Sequence, residues 1–457
     1  MIVDTVCLFN ELDLLELRMT ELDSRVDRFV IVEATRTHKG DLKPLHYAEN
    51  KARFLAWEKK IVHVAVGDLP LGDGLAAIRR REMTQRNAIL RGLTDCADDD
   101  LVLISDCDEI PRLELIPHAV EDGVIATYIQ KLYYYNFNTY APARPWPGTR
   151  VCRVADARAM TPHIIRNGMG QPDAYYPRHV HIADGGWHFS YFGGTEQIRE
   201  KQTQFLHQEL VTEANTDPAT IARNVAAGRD VWGREHEQSF VIGPADDLPY
   251  TVLRDLPKYA PHFAADWQPV FHENWYDGGQ ALYMAQMARD APEGAMVEIG
   301  AWEGRSTIVL AQMVAPRVVH VVDHWKGNID EDPDHDSGKV AAERDVNGDY
   351  THNIAVATAS NVHTHRMGWQ EWTETLGEKY PQDVLWYHPG IAFLHLDASH
   401  DRASVRDCLA AIRPFLVDGA ILCGDDAYDE RVIAGVRDVF PDAEVIGERL
   451  WKVVYES

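Results

Sequence analysis

A four-residue apolar run, Leu101–Ile104, stands between the aspartates Asp98–Asp100 and the polar stretch Ser105–Glu109. It is too short for a buried helix and polar at both ends, so it reads as a parallel strand covered on both faces. Such a strand commits its surroundings to an open α/β sheet, which binds ligands at the carboxyl ends of its strands. Asp106 and Asp108 follow at that end, and a turn beginning at Ser105 would bring both toward one site. Their joint use would be to hold a hard divalent cation against a diphosphate. The plainer alternative is a solvated acidic loop after a strand.

The flanking sequence has the period of an α/β chain. Val3–Phe9 reads as a strand, Leu12–Leu22 as an amphipathic helix, Phe29–Val32 and Ile61–Val66 as strands, and Arg79–Leu93 as a helix with a basic start. Strands alternating with helices predict a parallel sheet with right-handed crossovers. At 457 residues the chain is long enough for two or three domains. Proline, glycine and aspartate cluster between Thr212 and Pro261, which puts a linker at 241–262 between domains 1–240 and 263–457. The balance of 45 basic against 71 acidic residues, net −26, argues against broad contact with nucleic acid or anionic membrane. The six scattered cysteines form no C-x-x-C pair and read as reduced thiols. No apolar run approaches the roughly 18 residues of a membrane span, and no basic n-region opens the chain. The expected location is cytoplasmic, and the oligomeric state is left open.

Several ordered blocks resemble glycosyltransferase family 17. They are Asn10-Glu11 through Arg18, Val26 through Glu33-Ala34, Lys43-Pro44, Arg81-Glu82-x-x-x-Arg86 and Ile104–Pro111. Asp184–Gly194, Ile198–Lys201 and Phe205–Glu209 continue the series. The family is typified by the bisecting N-acetylglucosaminyltransferase of N-glycan synthesis. The resemblance implies a GT-A type nucleotide-sugar domain, a UDP-sugar donor, Mn²⁺ or Mg²⁺, inversion at the anomeric carbon, and a glycan or glycoconjugate acceptor. Asp108, with Asp106 through water, would hold the metal. Asn10 and Glu33, at adjacent strand ends, would meet the nucleoside, and Arg81 or Arg86 the phosphates. Glu109 is a candidate general base. His188 and His207 are candidates for metal or acceptor roles, with a hydrogen-bonded structural role as the alternative. The aromatic run Tyr133–Phe137, with Trp146, reads either as a sugar-stacking wall or as a strand in the core.

The second half repeats the α/β pattern. Helix Gln280–Arg289 precedes strand Ala295–Ile299, then the turn Glu298-Ile-Gly300-Ala-Trp-Glu-Gly304-Arg-Ser306, then helix Ile308–Val314. Strand Val318–Val322 ends at Asp323, an acidic partner for ribose hydroxyls about 20 residues after the glycine turn. Dinucleotide enzymes share that device, but the glycine spacing departs from G-x-G-x-x-G. The pattern resembles motif I of class I S-adenosylmethionine-dependent methyltransferases, with a Rossmann-like fold and cofactor contacts from Glu298, Gly300, Gly304, Ser306 and Asp323. Asn353, Val362–Gly368 and Trp369 fit that fold's third strand and loop. Phe393–Asp401 and Asp418–Ala427 resemble the fourth and fifth strands of the sugar O-methyltransferase branch. That resemblance places Mg²⁺ at Asp397, Asp425 and Asp426, with His400 as the base. The loop 327–349 is either a substrate lid or an acidic solvated excursion.

The expectation is therefore a two-domain enzyme that adds a sugar, N-acetylglucosamine, and methylates a sugar hydroxyl. The alternatives are a nucleotidyltransferase or phosphohydrolase built on Asp106 and Asp108 and fused to a small-molecule methyltransferase, or a non-catalytic carbohydrate-binding protein.

Overall fold

A computed structural model describes residues 1–167, 178–204, 208–234, 240–273, 275–276, 278–328, 336–377 and 390–457. It divides into two compact units, Met1–Gly243 and Pro244–Ser457.

The first unit holds strands β1 (Ile2–Leu8), β2 (Arg28–Ala34), β3 (Ile61–Val66), β4 (Leu101–Asp106), β5 (Glu109–Pro111) and β6 (Val124–Tyr134). After them come β7 (Thr139–Tyr140), β8 (Trp146–Arg153), β9 (Arg178–Ile182), β10 (Gly186–Ser190) and β11 (Val241–Ile242). The order is β11-β7-β6-β8-β4-β1-β2-β3, with β5, β9 and β10 joined off this path. The four strands β4, β1, β2 and β3 are parallel, and β8 is antiparallel to β4. Alternate residues of β1 serve two cores: Ile2, Val6 and Leu8 pack with Leu15, Met19 and Leu22, while Val3 packs with Val30, Val32 and Ile89. Asp4 breaks this apolar pattern. Its carboxylate takes Arg18 Nε at 2.7 Å and Nη2 at 2.5 Å, both residues being buried. The same guanidinium donates to Ser105 Oγ at 2.9 Å and to the carbonyl of Glu109. One helix residue thus fixes both β1 and the acidic turn after β4.

The second unit contains β12 (Ala295–Ile299), β13 (Val319–Asp323), β14 (Val362–Arg366), β15 (Ile391–Leu396), β16 (Leu416–Gly424), β17 (Glu444–Ile446) and β18 (Leu450–Val454). Their order is β14-β13-β12-β15-β16-β18-β17, parallel from β14 to β16 and antiparallel beyond. This is a Rossmann-like doubly wound sheet. Its strand order reverses at β12, as that of the first sheet reverses at β1, and ligands bind at such switch points.

Two expectations change. The stretch 241–262 expected as a linker belongs largely to the second unit: Tyr250–Arg254 and Leu256–Tyr259 are short helices with Val252, Leu253 and Leu256 buried. Gln312 straps it down, donating to the Ala245 carbonyl at 2.6 Å and accepting from Leu248 N at 3.1 Å. Asn353 sits in helix Val346–Ala357 rather than in a strand, bonded to the backbone of Val270 and Glu303. Of loop 327–349, Asp336–Glu343 is helical, and residues 329–335 lie outside the described residues.

Candidate active sites

In the first unit the turn after β4 begins at Cys107, not at Ser105, because Asp106 still belongs to the strand. The two aspartates meet different cations. Asp106 Oδ1 accepts from Arg86 Nη1 at 2.8 Å, and its other oxygen lies 3.4 Å from Arg166 Nη2. Asp108 Oδ2 accepts from Lys201 Nζ at 2.7 Å, and Oδ1 lies 3.5 Å from His188 Nε2. Lys201, from helix Thr195–Gln204, also reaches Glu11 at 3.3 Å. Burial alone would raise the Asp108 carboxyl, but Lys201 and then His188 outweigh it and hold the group well below the usual range. Asp106 is lowered in the same way against burial, by Arg86 and Arg166. Burial likewise works against the Lys201 ammonium, and Asp108 and Glu11 more than reverse it.

This donor set does not fit the expected divalent ion. Lys201 already takes one Asp108 oxygen and His188 lies beside the other. Among the described residues, neither aspartate nor His188 falls in a group of three ligand atoms within 4.8 Å. The cause is charge pairing: each carboxylate already has its own fixed cation.

Other expected residues have different tasks. Glu109 is fully buried; Trp146 Nε1 donates to it at 2.7 Å, Arg166 pairs with it, and Asp106 N donates at 3.1 Å. An acceptor hydroxyl cannot reach that carboxylate, so Glu109 anchors the turn instead of acting as the base. Arg81 is also buried, and gives its donors to the carbonyls of His38, Lys39, Pro70 and Gly72, which removes it from the phosphate role. Arg86, five residues on and so on another side of the helix, is the one that reaches Asp106. Glu33 is fully buried, accepts from Tyr47 N at 3.1 Å, and lies 3.2 Å from His63 and 3.6 Å from Lys43. It supports the strand end and meets no nucleoside directly. Asn10 donates to Glu200 at 2.6 Å, beside Glu11 and Lys201 in sequence. Tyr133, Tyr134, Tyr135 and Phe137 are core residues, whereas Trp146 is half-buried with its ring 4.5 Å from that of His188. His207 lies outside the described residues. The expectations passed over Glu11, Lys201 and Arg166 as charge partners; the first two stand in the quoted blocks.

In the second unit a cavity of about 510 Å³ opens at the carboxyl ends of the parallel strands. Gly300, Trp302, Ser306, Asp323 and Trp369 line it from β12, β13 and the loop after β14. Asp397, His400, Asp425, Asp426 and Arg449 line it from β15 and beyond. Its volume suits a cofactor-sized molecule. Gly300 has φ +86°, and a Cβ there would lie 1.9 Å from the Asp397 carbonyl oxygen, so the turn requires glycine. Asp323 fixes this turn, Oδ2 accepting from Ala301 N at 2.9 Å and Trp302 N at 3.1 Å. Two expected cofactor contacts are absent from the lining. Glu298 is fully buried, bonded to Thr307 and lying 3.1 Å from His395, because its strand position points into the sheet's cover. Gly304, φ +83°, begins helix Arg305–Val314 and leaves room for the Tyr350 ring, which a Cβ would meet at 2.9 Å.

The acidic end contrasts with the first unit. His400 Nε2 lies 2.7 Å from Asp426 Oδ2, and Arg449 Nη2 donates to Asp425 Oδ2 at 3.2 Å. Asp397 has no side-chain hydrogen bond or ion pair among the described residues. Burial, then Asp425, pushes its carboxyl up to about 7. Burial also raises Asp425, while His400 holds Asp426 low against burial. One ligand atom each from Asp397, His400 and Asp426 falls within 4.8 Å of the others. The aspartate oxygens of this group are hard donors short of positive charge and, with the His400 ring nitrogen beside them, fit a divalent cation.

Comparison with known proteins agrees with the division. A glycosyltransferase family 17 model matches residues 1–241, and a methyltransferase domain model matches residues 297–427. Beta-1,4-mannosyl-glycoprotein 4-beta-N-acetylglucosaminyltransferase of Rattus norvegicus is 31% identical over 116 residues, 24% of this chain and 21% of the relative. The Homo sapiens protein of the same name is also 31% identical over 116 residues, 24% of this chain and 22% of its own length. The chain therefore spans about a fifth of the length of these curated relatives. Among solved structures, the O-methyltransferase NovP is 17% identical, covers 46% of this chain and 88% of its own, and has a TM-score of 0.29. A second, described as a putative O-methyltransferase from Klebsiella pneumoniae, is 14% identical, covers 46% and 90%, and has a TM-score of 0.31. The chain joins a methyltransferase domain to a glycosyltransferase domain, and through its first 241 residues it belongs to glycosyltransferase family 17.

Proposed function

We propose that the chain is a bifunctional glycan-modifying enzyme. Its first unit, of GT-A type, transfers N-acetylglucosamine from UDP-N-acetylglucosamine to a glycan or glycoconjugate with inversion. Its second unit methylates a sugar hydroxyl with S-adenosylmethionine. The donor sugar rests on the rat and human relatives, whose names state that activity for those proteins.

In the first unit, Lys201 is the cation we assign to the leaving diphosphate, held between Glu11 and Asp108 beside the switch point. Arg86 supports it through Asp106, and Asn10 marks the nucleoside side. No group is assigned as the base.

In the second unit, the supporting observation is the single cavity that joins the Gly300–Asp323 turn to the Asp397–His400–Asp426 cluster. S-adenosylmethionine would supply the electrophilic methyl group there, and Mg²⁺ would lower the pKa of an adjacent sugar hydroxyl. Ser306, Asp323 and the glycine turn bind and orient the donor. Asp397, Asp425 and Asp426 hold the cation and face the acceptor. His400, oriented by Asp426, takes the hydroxyl proton at a ring nitrogen. Fusing the two steps makes sense if the product of one is the substrate of the other, since tethering raises effective concentration.

Among the described residues no helix is long and apolar enough to cross a membrane. The six cysteines are free thiols, five of them buried, which supports a cytoplasmic assignment.

The test is UDP release from a panel of UDP-sugars, beside label transfer from S-adenosylmethionine to the glycosylated product. Turnover selective for UDP-N-acetylglucosamine, followed by methylation lost in Asp426→Asn with cofactor binding retained, is the expected result. Failure to bind any UDP-sugar would contradict the first half, and failure to bind S-adenosylmethionine the second.

A further inference from the structure

A further cluster of ligand-bearing side chains lies outside both candidate sites, on the sheet of the second unit. Strands β13 and β14 run parallel with His320 opposite His363 and Val322 opposite His365. Residues 363 and 365 are two apart on a strand and share a face. His320 is on that face too, since its Nδ1 lies 3.2 Å from His365 Nε2. The three rings are a group: centroids are 4.6 Å apart for His363 and His365, and 5.5 Å for His320 with each of the others. One ring nitrogen from each falls within 4.8 Å of the other two. His320 is buried, the other two are half-buried, and β14 is the edge strand, so the face is closed below and open at one side. Trp372, whose ring is 6.0 Å from that of His365, covers part of it.

The chemistry of this set differs from that of both acidic sites. A parallel strand covered on both faces favours Val or Ile, and its neighbours Val319, Val321 and Val322 obey that rule. Three imidazoles at one spot instead put neutral nitrogen donors side by side, which suits zinc and its neighbours and repels magnesium's preference for oxygen. Two nitrogens bound to one tetrahedral zinc at about 2.0–2.1 Å stand about 3.3 Å apart. The observed 3.2 Å between His320 and His365 matches that spacing. The third ring, that of His363, has a nitrogen within 4.8 Å of both.

We propose that His320, His363 and His365 form a binding site for a zinc-class dication that ties edge strand β14 to β13. The site takes three protein ligands and leaves one position to solvent. It lies on the strand whose following loop, Met367–Trp369, lines the cofactor cavity. The ion is therefore expected to stiffen that wall without taking part in either reaction.

The test uses the full chain and Co²⁺ as a spectroscopic probe, with excess Mg²⁺ to occupy the carboxylate cluster. Wild type should develop the intense visible bands of four-coordinate cobalt, saturating at one equivalent, and Zn²⁺ should displace it. His363→Gln, a half-buried change that keeps a polar side chain, should weaken Co²⁺ binding at least about tenfold. The pair His363→Gln and His365→Gln should abolish the bands, while Asp397→Asn should leave them unchanged. Circular dichroism of each variant guards against a folding failure. Absence of the bands in wild type, or their persistence in the folded double variant, would overturn the proposal.

Discussion

Asp108 and Asp397 occupy equivalent places in their two sheets. Each follows the strand that lies across the switch point from its unit's leading strand, β4 beside β1 and β15 beside β12. Yet their carboxyls are shifted in opposite directions, Asp108 downward and Asp397 up to about 7. Topology delivers an acid to the same spot in both cases, and the partners brought by other elements decide its chemistry. The first site imports Lys201, Arg86 and Arg166, so that each of its two aspartates faces a fixed cation. The second imports Arg449 and His400 against three aspartates and stays short of positive charge. A site of the first kind meets an anionic substrate with its own cations; a site of the second kind recruits a metal.

The comparison breaks most severely if its scaffold is removed. Arg18→Leu leaves the buried Asp4 unpaired and frees the turn at Glu109, so the first unit should lose about 3–5 kcal/mol in denaturant unfolding. The second unit's transition should not move. Next in size is Lys201→Ala, which should slow UDP-sugar turnover about 10²–10³-fold, as loss of a group facing developing charge does. The same variant sharpens the contrast, because it strips Asp108 and Glu11 of their shared cation. It should gain Mn²⁺ binding that wild type lacks at this site, measurable by paramagnetic broadening.

The smallest effects are in the pH dependence of stability, and the two aspartates should act with opposite sign. Asp108 has a folded pKa below its unfolded value, so its pairing stabilises the first unit above about pH 4 and is lost at lower pH. Asp397 has a folded pKa above its unfolded value. Without metal it therefore costs stability that grows from about pH 4, is complete above pH 7, and is relieved as pH falls from 7 toward 4. Between pH 8 and pH 5 the second unit should become more stable and Asp397→Asn should flatten that trend. At pH 8 that variant should be more stable than wild type by about 1–3 kcal/mol. Asp108→Asn should leave the same pH interval unaffected.

Much of this architecture was legible in the sequence. Leu101–Ile104 and Ala295–Ile299 are strands because a short apolar run between polar ends has few other ways to be buried. The glycine turn and Asp323 came together because turn and strand spacing are local properties. Asp397, His400 and Asp426 also lie together, the grouping that the resemblance to the sugar O-methyltransferase branch implied. What local pattern could not supply was the partner of each charge. Asp108 and Lys201 are 93 residues apart, and Glu109 and Arg166 are 57 apart. An acid at a strand end looks the same in sequence whether it faces a ligand or, like Glu33, Glu109 and Glu298, is buried against a cation or hydroxyl. Arg81 and Arg86 posed the same difficulty on a helix, where only the loop carbonyls packed against Arg81 set them apart. The histidine cluster needed the register of β13 on β14, which no spacing within either strand reveals.

The most direct measurement is a calorimetric titration of Mg²⁺ into the full chain, beside Asp108→Asn and Asp397→Asn. Mg²⁺ avoids the histidine cluster, so it reports on the carboxylates alone. The expected result is one Mg²⁺ per chain, lost in Asp397→Asn and unchanged in Asp108→Asn. Binding that survives Asp397→Asn and disappears with Asp108→Asn, or no binding by wild type, would contradict the difference drawn between the two sites.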